Sequence, residues 1–384
     1  MRGPAVRPIV IAAGGTGGHF YPAEALAAAL IARGNWVVLM TDARSGGLKS
    51  KVFDPRGQFV LPGAGIAGRG LARGVKAVGS LAAGVFKARG ILSRLRPAAV
   101  VAFGGYPSVP PVLAARLVRH GPPVILHEQN AVLGRANRFL CGRAAALALS
   151  FPGTSRVPAG VTQVVTGNPV RPVVGALIEA GYEAPRATAH DGSIAGGSIN
   201  LLVLGGSLGA RVFSDVVPEA LIRLPEAIRA RLRVVQQCRA EDLERVRAAY
   251  EAGGIAADLA PFFDDVAERL KAAHLVIARA GASTVTELAI AGRPAILVPL
   301  PGAIDDHQTA NARFLAEAGG AWVFPQPAFT PEALADRLTS LLPDPAALAL
   351  AAVKARAAAN PGAAGRLADL VERVAREHAM ETAA

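Results

Sequence analysis

Short apolar, β-branched runs alternate with longer Ala- and Leu-rich stretches along most of the chain. That rhythm predicts repeated strand, loop and helix units built around parallel sheets. The first unit reads as a strand over 8–13, a loop from Gly14 to His19 and a helix over 22–33, with Pro22 near its first turn and Gly34 just past its end. A second opening of the same design starts with a strand at 201–204 and continues into Gly205-Gly206-Ser207-Leu208-Gly209, whose first glycine lies 191 positions after Gly14. In a chain of 384 residues this is half the length, so two similar doubly wound domains are expected. The run Gly167-Asn168-Pro169-Val170-Arg171 marks the expected junction, with 1–167 and a C-terminal helical segment at 361–384 forming one domain and 168–360 the other. The Gly-, Ala-, Ser- and Thr-rich stretch 179–198 reads as loop.

Composition narrows the class. Apolar residues make up 52% and charged residues 18%, which buries well and excludes disordered and collagen-like chains. Cys141 and Cys238 stand far apart with no paired spacing, so neither a disulfide scaffold nor a zinc site is expected, and a reducing compartment fits. No run of 18 apolar residues occurs, and the basic N-terminus leads straight into a glycine loop, so neither a spanning helix nor a signal peptide is read here. The net charge of +12 is uneven: residues 1–170 hold 20 Lys and Arg against four acids, and none of those acids falls between Asp54 and Glu128. One half should therefore face something anionic: nucleic acid, a membrane surface or a phosphorylated substrate.

Ligands of open parallel sheets bind beyond the carboxyl ends of the strands, and four loops there are unusual. Gly14-Gly15-Thr16-Gly17-Gly18-His19 has four glycines in five positions, which lets amides at a helix start approach a phosphate or sugar. It lacks the Lys-Ser/Thr pair of a Walker loop, and its third glycine position would fall on Phe20, against the dinucleotide fingerprint. His19 is a candidate general base, and equally a structural or substrate-orienting residue. Gly205 to Ala210 repeats the anion cradle, with the Ser207 hydroxyl as a donor to a diphosphate. In Arg279-Ala280-Gly281-Ala282-Ser283-Thr284-Val285-Thr286-Glu287 two readings stand side by side. Thr284 and Glu287 have the spacing of a capping box, and a glycine-led helix start with an acid one turn in also suits a diphosphate and ribose hydroxyls. Pro301 to Asn311 crowds polar groups suited to hexose hydroxyls, or is a helix start capped by Asp305 or Asp306. Glu128, in His127-Glu128-Gln129-Asn130, either orients a histidine, binds a hydroxyl or neutralises its basic neighbours. The stretch 69–96 reads as a basic amphipathic helix, suited to an anionic membrane or to a core helix with a basic outer face. Nucleic acid is disfavoured, because aromatics are only 5% and none alternates with the basic run. No Asp-x-Asp triplet or His and Cys cluster suggests a metal, and no cofactor is expected.

Taken together, the loop 14–19, Gly104-Gly105-Tyr106, His127 to Asn130, Gly167 to Arg171, Gly205-Gly206-Ser207 and Asp306-His307-Gln308-Thr309-Ala310-Asn311 resemble the bacterial MurG family over nearly the whole chain. The resemblance implies an α/β protein of two Rossmann-like domains facing a cleft, the GT-B glycosyltransferase fold. It implies inverting, metal-independent transfer of N-acetylglucosamine from UDP-N-acetylglucosamine to the 4-hydroxyl of lipid I, giving lipid II for peptidoglycan, at the cytoplasmic face of the bacterial inner membrane. By similarity Thr16, Gly17, Gly18, Asn130, Arg171, Ser207, Glu287 and Gln308 contact the donor. Ala282, Ser283, Thr284, Val285 and Thr286 line its diphosphate and sugar, and Phe263 falls where backbone meets the uracil. The basic first half is then expected on the membrane surface, with His19 as general base and Glu128 as its competitor or orienting partner. Another GT-B lipid glycosyltransferase, and a nicotinamide-dependent oxidoreductase using Asp42, are the alternatives; the second leaves the loops at 205 and 281 without a task. A non-catalytic peripheral protein explains neither loop pair.

Overall fold

The computed structural model describes residues 7–14, 17–43, 50, 52–53, 57–62, 71–186, 197–206 and 209–383, with the side chains of 71–77 left aside. The chain divides into two compact units, Met1–Arg171 with Gly362–Ala384, and Pro172–Pro361.

The first unit is built on seven strands, β1 Ile9–Ala12, β2 Val37–Asp42, β3 Gln58–Leu61, β4 Ala99–Ala102, β5 Val124–Glu128, β6 Ala146–Leu149 and β7 Gln163–Val165. Their order is β3-β2-β1-β4-β5-β6-β7, and every pairing is parallel. Parallel strands need crossovers on both faces, so β1, β4, β5 and β6 are buried throughout and carry near-continuous apolar sequence. Alternation divides them. Ile9, Ile11, Val101 and Ile125 pack beneath the Gly17–Ala32 helix, whereas Val10, Ala12, Val100 and Leu126 pack beneath the Leu71–Leu95 and Val109–Arg116 helices.

The second unit repeats the plan with β8 Ile199–Leu204, β9 Leu232–Gln237, β10 Ala256–Ala260, β11 Leu275–Ala278, β12 Ala295–Leu297 and β13 Ala321–Val323. Their order is β10-β9-β8-β11-β12-β13, again parallel throughout. Each sheet reverses its winding beside its first strand, between β1 and β4 and between β8 and β11. Those are the switch points where doubly wound sheets bind ligands.

Two expectations shift. The first helix begins at Gly17 instead of Pro22, so Pro22 sits in its interior and His19 in its first turn. The bond Pro22 cannot donate would have run to the carbonyl of Gly18 in the first turn, so the helix forgoes one hydrogen bond near its start. Likewise the apolar run predicts a strand over 124–126, whereas β5 runs to Glu128 and so carries His127 and Glu128 itself.

The Ala363–Ala383 helix belongs to the first unit. It buries Leu367, Ala368, Leu370, Val371 and Val374 among Phe20, Leu26 and Leu30. Arg33 reaches across to Asp369 at 2.7 Å and Glu372 at 3.1 Å, and Arg366 donates to the Thr166 carbonyl at 3.1 Å. Exposed pairs of this kind contribute little, so the apolar stripe carries the attachment. Leu367→Ala is therefore expected to destabilise the first unit by about 2–5 kcal/mol, read by denaturant unfolding, whereas Asp369→Asn should cost under about 1 kcal/mol.

Candidate active site

In the first unit the loops after β1, β4 and β5 converge on His19. Gly105, with φ of 68°, would bring an added Cβ to 3.5 Å from the His19 ring. That backbone conformation is one that L side chains rarely adopt, which accounts for the glycine. His19 Nδ1 lies 2.8 Å from Gln129 Oε1, and Gln129 Nε2 lies 2.9 Å from His127 Nδ1 and 3.2 Å from the His127 carbonyl. His127 Nε2 in turn lies 3.1 Å from the carbonyl of Gly167. His127 and Gln129 are buried, with the His127 ring against Phe103 at 5.0 Å between centroids.

Glu128 is also buried but turned away. Its Oε1 accepts from Asn130 N at 3.0 Å and Asn130 Nδ2 at 3.1 Å, and its Oε2 from Gly134 N and Asn137 Nδ2, both at 2.9 Å. Four donors occupy the four acceptor positions of a carboxylate. The side chain expected to orient His19 is thus a clasp on the loop 130–134 and the first turn of the Arg135–Leu140 helix, and the group that holds His19 is Gln129. Strand alternation explains the exchange: 125 and 127 point to the Gly17–Ala32 side of the sheet, 126 and 128 to the other.

Of the other residues expected here, Gly17 and Gly18 form the first turn of the helix, and Arg171 lies in this unit with its guanidinium 5.0 Å from the Tyr21 ring centroid. Thr16 and Ser207 lie outside the described residues.

The second unit gathers its candidates at the equivalent sheet edge. Only glycine fits at 205, where an added Cβ would stand 2.4 Å from the Ala210 nitrogen. Gln237 holds this loop, accepting from Gly205 N at 3.0 Å while its Nε2 donates to the Gly206 and Pro261 carbonyls at 2.9 and 3.2 Å. Phe263, two residues beyond Pro261 in the loop after β10, is buried under Arg269 at 4.0 Å. The Ala282–Ala291 helix has Gly281 as its N-cap, so Thr284 stands inside the helix and no capping box forms with Glu287. Ala282, Val285 and Thr286 are buried, the last bonding back to the Ala282 carbonyl at 2.9 Å. Ser283 Oγ is buried with no hydrogen-bond partner among the described residues. A buried hydroxyl with its hydrogen uncommitted, at a helix N-terminus, is a ready donor to an anion.

Gln308 Oε1 accepts from the backbone nitrogens of Ala280 at 3.2 Å and Leu300 at 3.0 Å, so its amide nitrogen is what it presents outward. Asp305 and Asp306, both with positive φ, lead into the His307–Glu317 helix, and the N-cap Asp306 makes no side-chain cap bond, so the capping alternative is not realised there. Arg279 donates to the Val298 and Pro299 carbonyls at 3.1 and 3.2 Å and to Gln326 Oε1 at 2.6 Å. Gln129, Gln237 and Arg279 were not singled out from sequence; the i, i+2 placement of His127 and Gln129 is the signal that points to the first of them.

A first unit carrying a histidine at a glycine-led helix start, and a second carrying an anion-ready helix start, suit an enzyme that acts on a phosphate-linked substrate, and the family comparisons make it a glycosyltransferase. Residues 9–149 match the glycosyltransferase family 28 N-terminal domain and residues 200–373 its C-terminal domain. A protein of Granulibacter bethesdensis named UDP-N-acetylglucosamine–N-acetylmuramyl-(pentapeptide) pyrophosphoryl-undecaprenol N-acetylglucosamine transferase is 62% identical over 371 residues, covering 97% of this chain and 94% of its own. A protein of the same name from Acidiphilium cryptum is 54% identical, covering 97% and 98%. The crystal structure of Acinetobacter baumannii MurG superposes with a TM-score of 0.75 at 34% identity, over 95% of this chain and 99% of that one. The chain belongs to this family, the MurG transferases.

Burial pushes His127 down to about 4, with the Gly167 carbonyl opposing and His19 adding to the shift. The unfolded chain takes up this proton near the ordinary 6.5, the folded protein only near 4. The contribution is therefore complete above pH 6.5 and is lost as pH falls toward 4, up to about 3 kcal/mol. Denaturant unfolding between pH 7 and 4.5 should show the wild type losing more stability than His127→Gln by roughly that amount.

Proposed function

We propose that His19 accepts the proton of the acceptor hydroxyl in the transfer of N-acetylglucosamine from UDP-N-acetylglucosamine to N-acetylmuramyl-(pentapeptide) pyrophosphoryl-undecaprenol, the reaction for which the relatives are named. The observation that carries the activity is 62% identity along 97% of the chain, spanning both sets of loops. The enzyme is an inverting N-acetylglucosaminyltransferase. The 4-hydroxyl oxygen of the muramyl sugar forms the new bond to the anomeric carbon as the bond to the UDP oxygen breaks. The hydroxyl proton goes to His19, and the leaving diphosphate takes up the negative charge.

In this reading the amides of the Ala282–Ala291 helix start and the Ser283 hydroxyl stabilise that charge, with no metal step. Gln308 donates its amide to a sugar hydroxyl, Glu287 accepts from the ribose, and Phe263 lies by the uracil. Thr16, Gly17, Gly18, Asn130, Arg171, Ser207, Thr284, Val285 and Thr286 complete the contacts to donor and acceptor. Glu128 serves by fixing the loop that carries Asn130. A nicotinamide-dependent oxidoreductase has no support from the family to which the chain belongs.

A membrane-facing surface on the first unit fits a lipid-linked acceptor. Among the described residues no single helix is long and apolar enough to cross a membrane. Val78, Phe86 and Leu117 are nevertheless 68%, 69% and 54% exposed, beside Lys87 and Arg89. Apolar side chains among cations suit an anionic lipid surface at the cytoplasmic face of the membrane. The side chains of Arg73 and Lys76, in the same helix, and the whole of Arg69 lie outside the described residues.

His19→Ala, assayed with a chelator present, should lower turnover about 100- to 10,000-fold while UDP-N-acetylglucosamine still raises the melting temperature. Near wild-type turnover would remove His19 as the base. Phe86→Ser combined with Arg89→Glu should weaken sedimentation with anionic vesicles and leave transfer to a soluble acceptor analogue intact; unchanged sedimentation would take this surface off the membrane.

A further inference from the structure

We propose that His127 and Gln129 form a buried positioning relay that fixes His19 as the Nδ1–H tautomer, so that its Nε2 lone pair is what the enzyme offers to the acceptor hydroxyl. The inference rests on the reading of His19 as the base, and deepens it by naming what sets the base's proton.

The direction of the relay follows from its fixed end. The Gly167 carbonyl can only accept, so His127 Nε2, 3.1 Å away, carries a hydrogen. A neutral imidazole then has a lone pair on Nδ1, which must accept from Gln129 at 2.9 Å. A second acceptor fixes the same amide independently: the His127 carbonyl lies 3.2 Å from Gln129 Nε2, so the nitrogen of the amide faces inward. Gln129 Oε1 is thereby turned to His19, and an amide oxygen only accepts. His19 Nδ1 must donate at 2.8 Å, which in the neutral ring leaves the lone pair on Nε2.

Reversing the relay requires a protonated His127, donating from both nitrogens, with Gln129 turned over to donate to His19. Burial opposes that state, holding His127 near 4. It would also set the turned amide oxygen against the His127 carbonyl. Glu128 does not enter, because its oxygens are taken by the loop on the other face of the sheet.

The test is the tautomer of His19 in the full-length protein with 15N-labelled histidine, read near pH 7.5 from long-range proton–nitrogen correlation spectra. The His19 signals are assigned by their loss in His19→Ala. The expected wild-type result is a protonated Nδ1 and an unprotonated Nε2; a hydrogen on Nε2 overturns the relay whatever any variant does. In Gln129→Leu the His19 signals should move toward the Nε2–H form, and turnover should fall roughly 10- to 100-fold, the range expected when a buried partner is lost, with KM for UDP-N-acetylglucosamine within about twofold. Gln129→Glu still accepts from His19 Nδ1, so it should keep the Nδ1 hydrogen of His19, but its charge draws a proton to His127 and turnover should stay below the wild type. Unchanged tautomer and turnover in Gln129→Leu would also overturn the proposal. If Gln129→Leu does not fold, the wild-type and Gln129→Glu spectra decide alone. Should His19→Ala retain turnover, the base assignment fails, while the spectra still decide whether the relay exists.

Discussion

Parallel pairing is the constraint from which the rest of this structure follows. A parallel strand cannot be joined to its neighbour by a tight turn, so each connection crosses back along a face of the sheet and every strand starts from the same end. All the loops that follow strands then open at one edge of each sheet. The glycine loop after β1, the Gly104–Gly105 turn after β4 and the His127–Gln129 segment at the end of β5 are separated by up to about a hundred residues yet meet around one imidazole. In the second unit the same rule gathers the loops after β8, β11 and β12.

Loops gathered in this way still have to be held in place, and both units use mostly neutral groups for the purpose. Gln237 ties the loop after β8 to the Pro261 carbonyl, and Gln308 ties the loop after β11 to the one after β12. Gln129 ties the end of β5 to the helix start after β1. A carboxamide carries both a donor and an acceptor, so it can bridge two backbones while adding no net charge near a bound anion. Glu128 and Arg279 are the charged exceptions. Each is held almost wholly by backbone and amide groups, and fully bonded charges of this kind are the ones that stay buried.

The architecture was legible because parallel strands buried on both faces leave apolar runs, and because glycine loops recur half a chain apart. Helix starts were less so. Pro22 signals a first turn, but two glycines before it allow the helix to begin a turn earlier and carry His19 inside it. The Thr284 and Glu287 spacing fits a capping box, yet Gly281 is the residue at the cap. Composition cannot reveal which of two candidates takes the first turn, since that depends on how the preceding strand exits the sheet.

Glu128 and Gln129 show where sequence reading favours the wrong neighbour. An acid in a basic half attracts attention as a partner for histidine, while a glutamine between an acid and an asparagine does not. What separates them is the pleat of β5. Once 125 is fixed beneath the Gly17–Ala32 helix, 127 must share its side and 128 must leave it. The strand thus divides its chemistry between its faces: the carboxylate organises a loop on one, and the histidine joins a neutral chain ending at His19 on the other. A carboxylate in Gln129's place would have stabilised the imidazolium and drawn a proton to His127. The amide leaves that histidine neutral and transmits only direction, because each link has a single polarity that its neighbours accept.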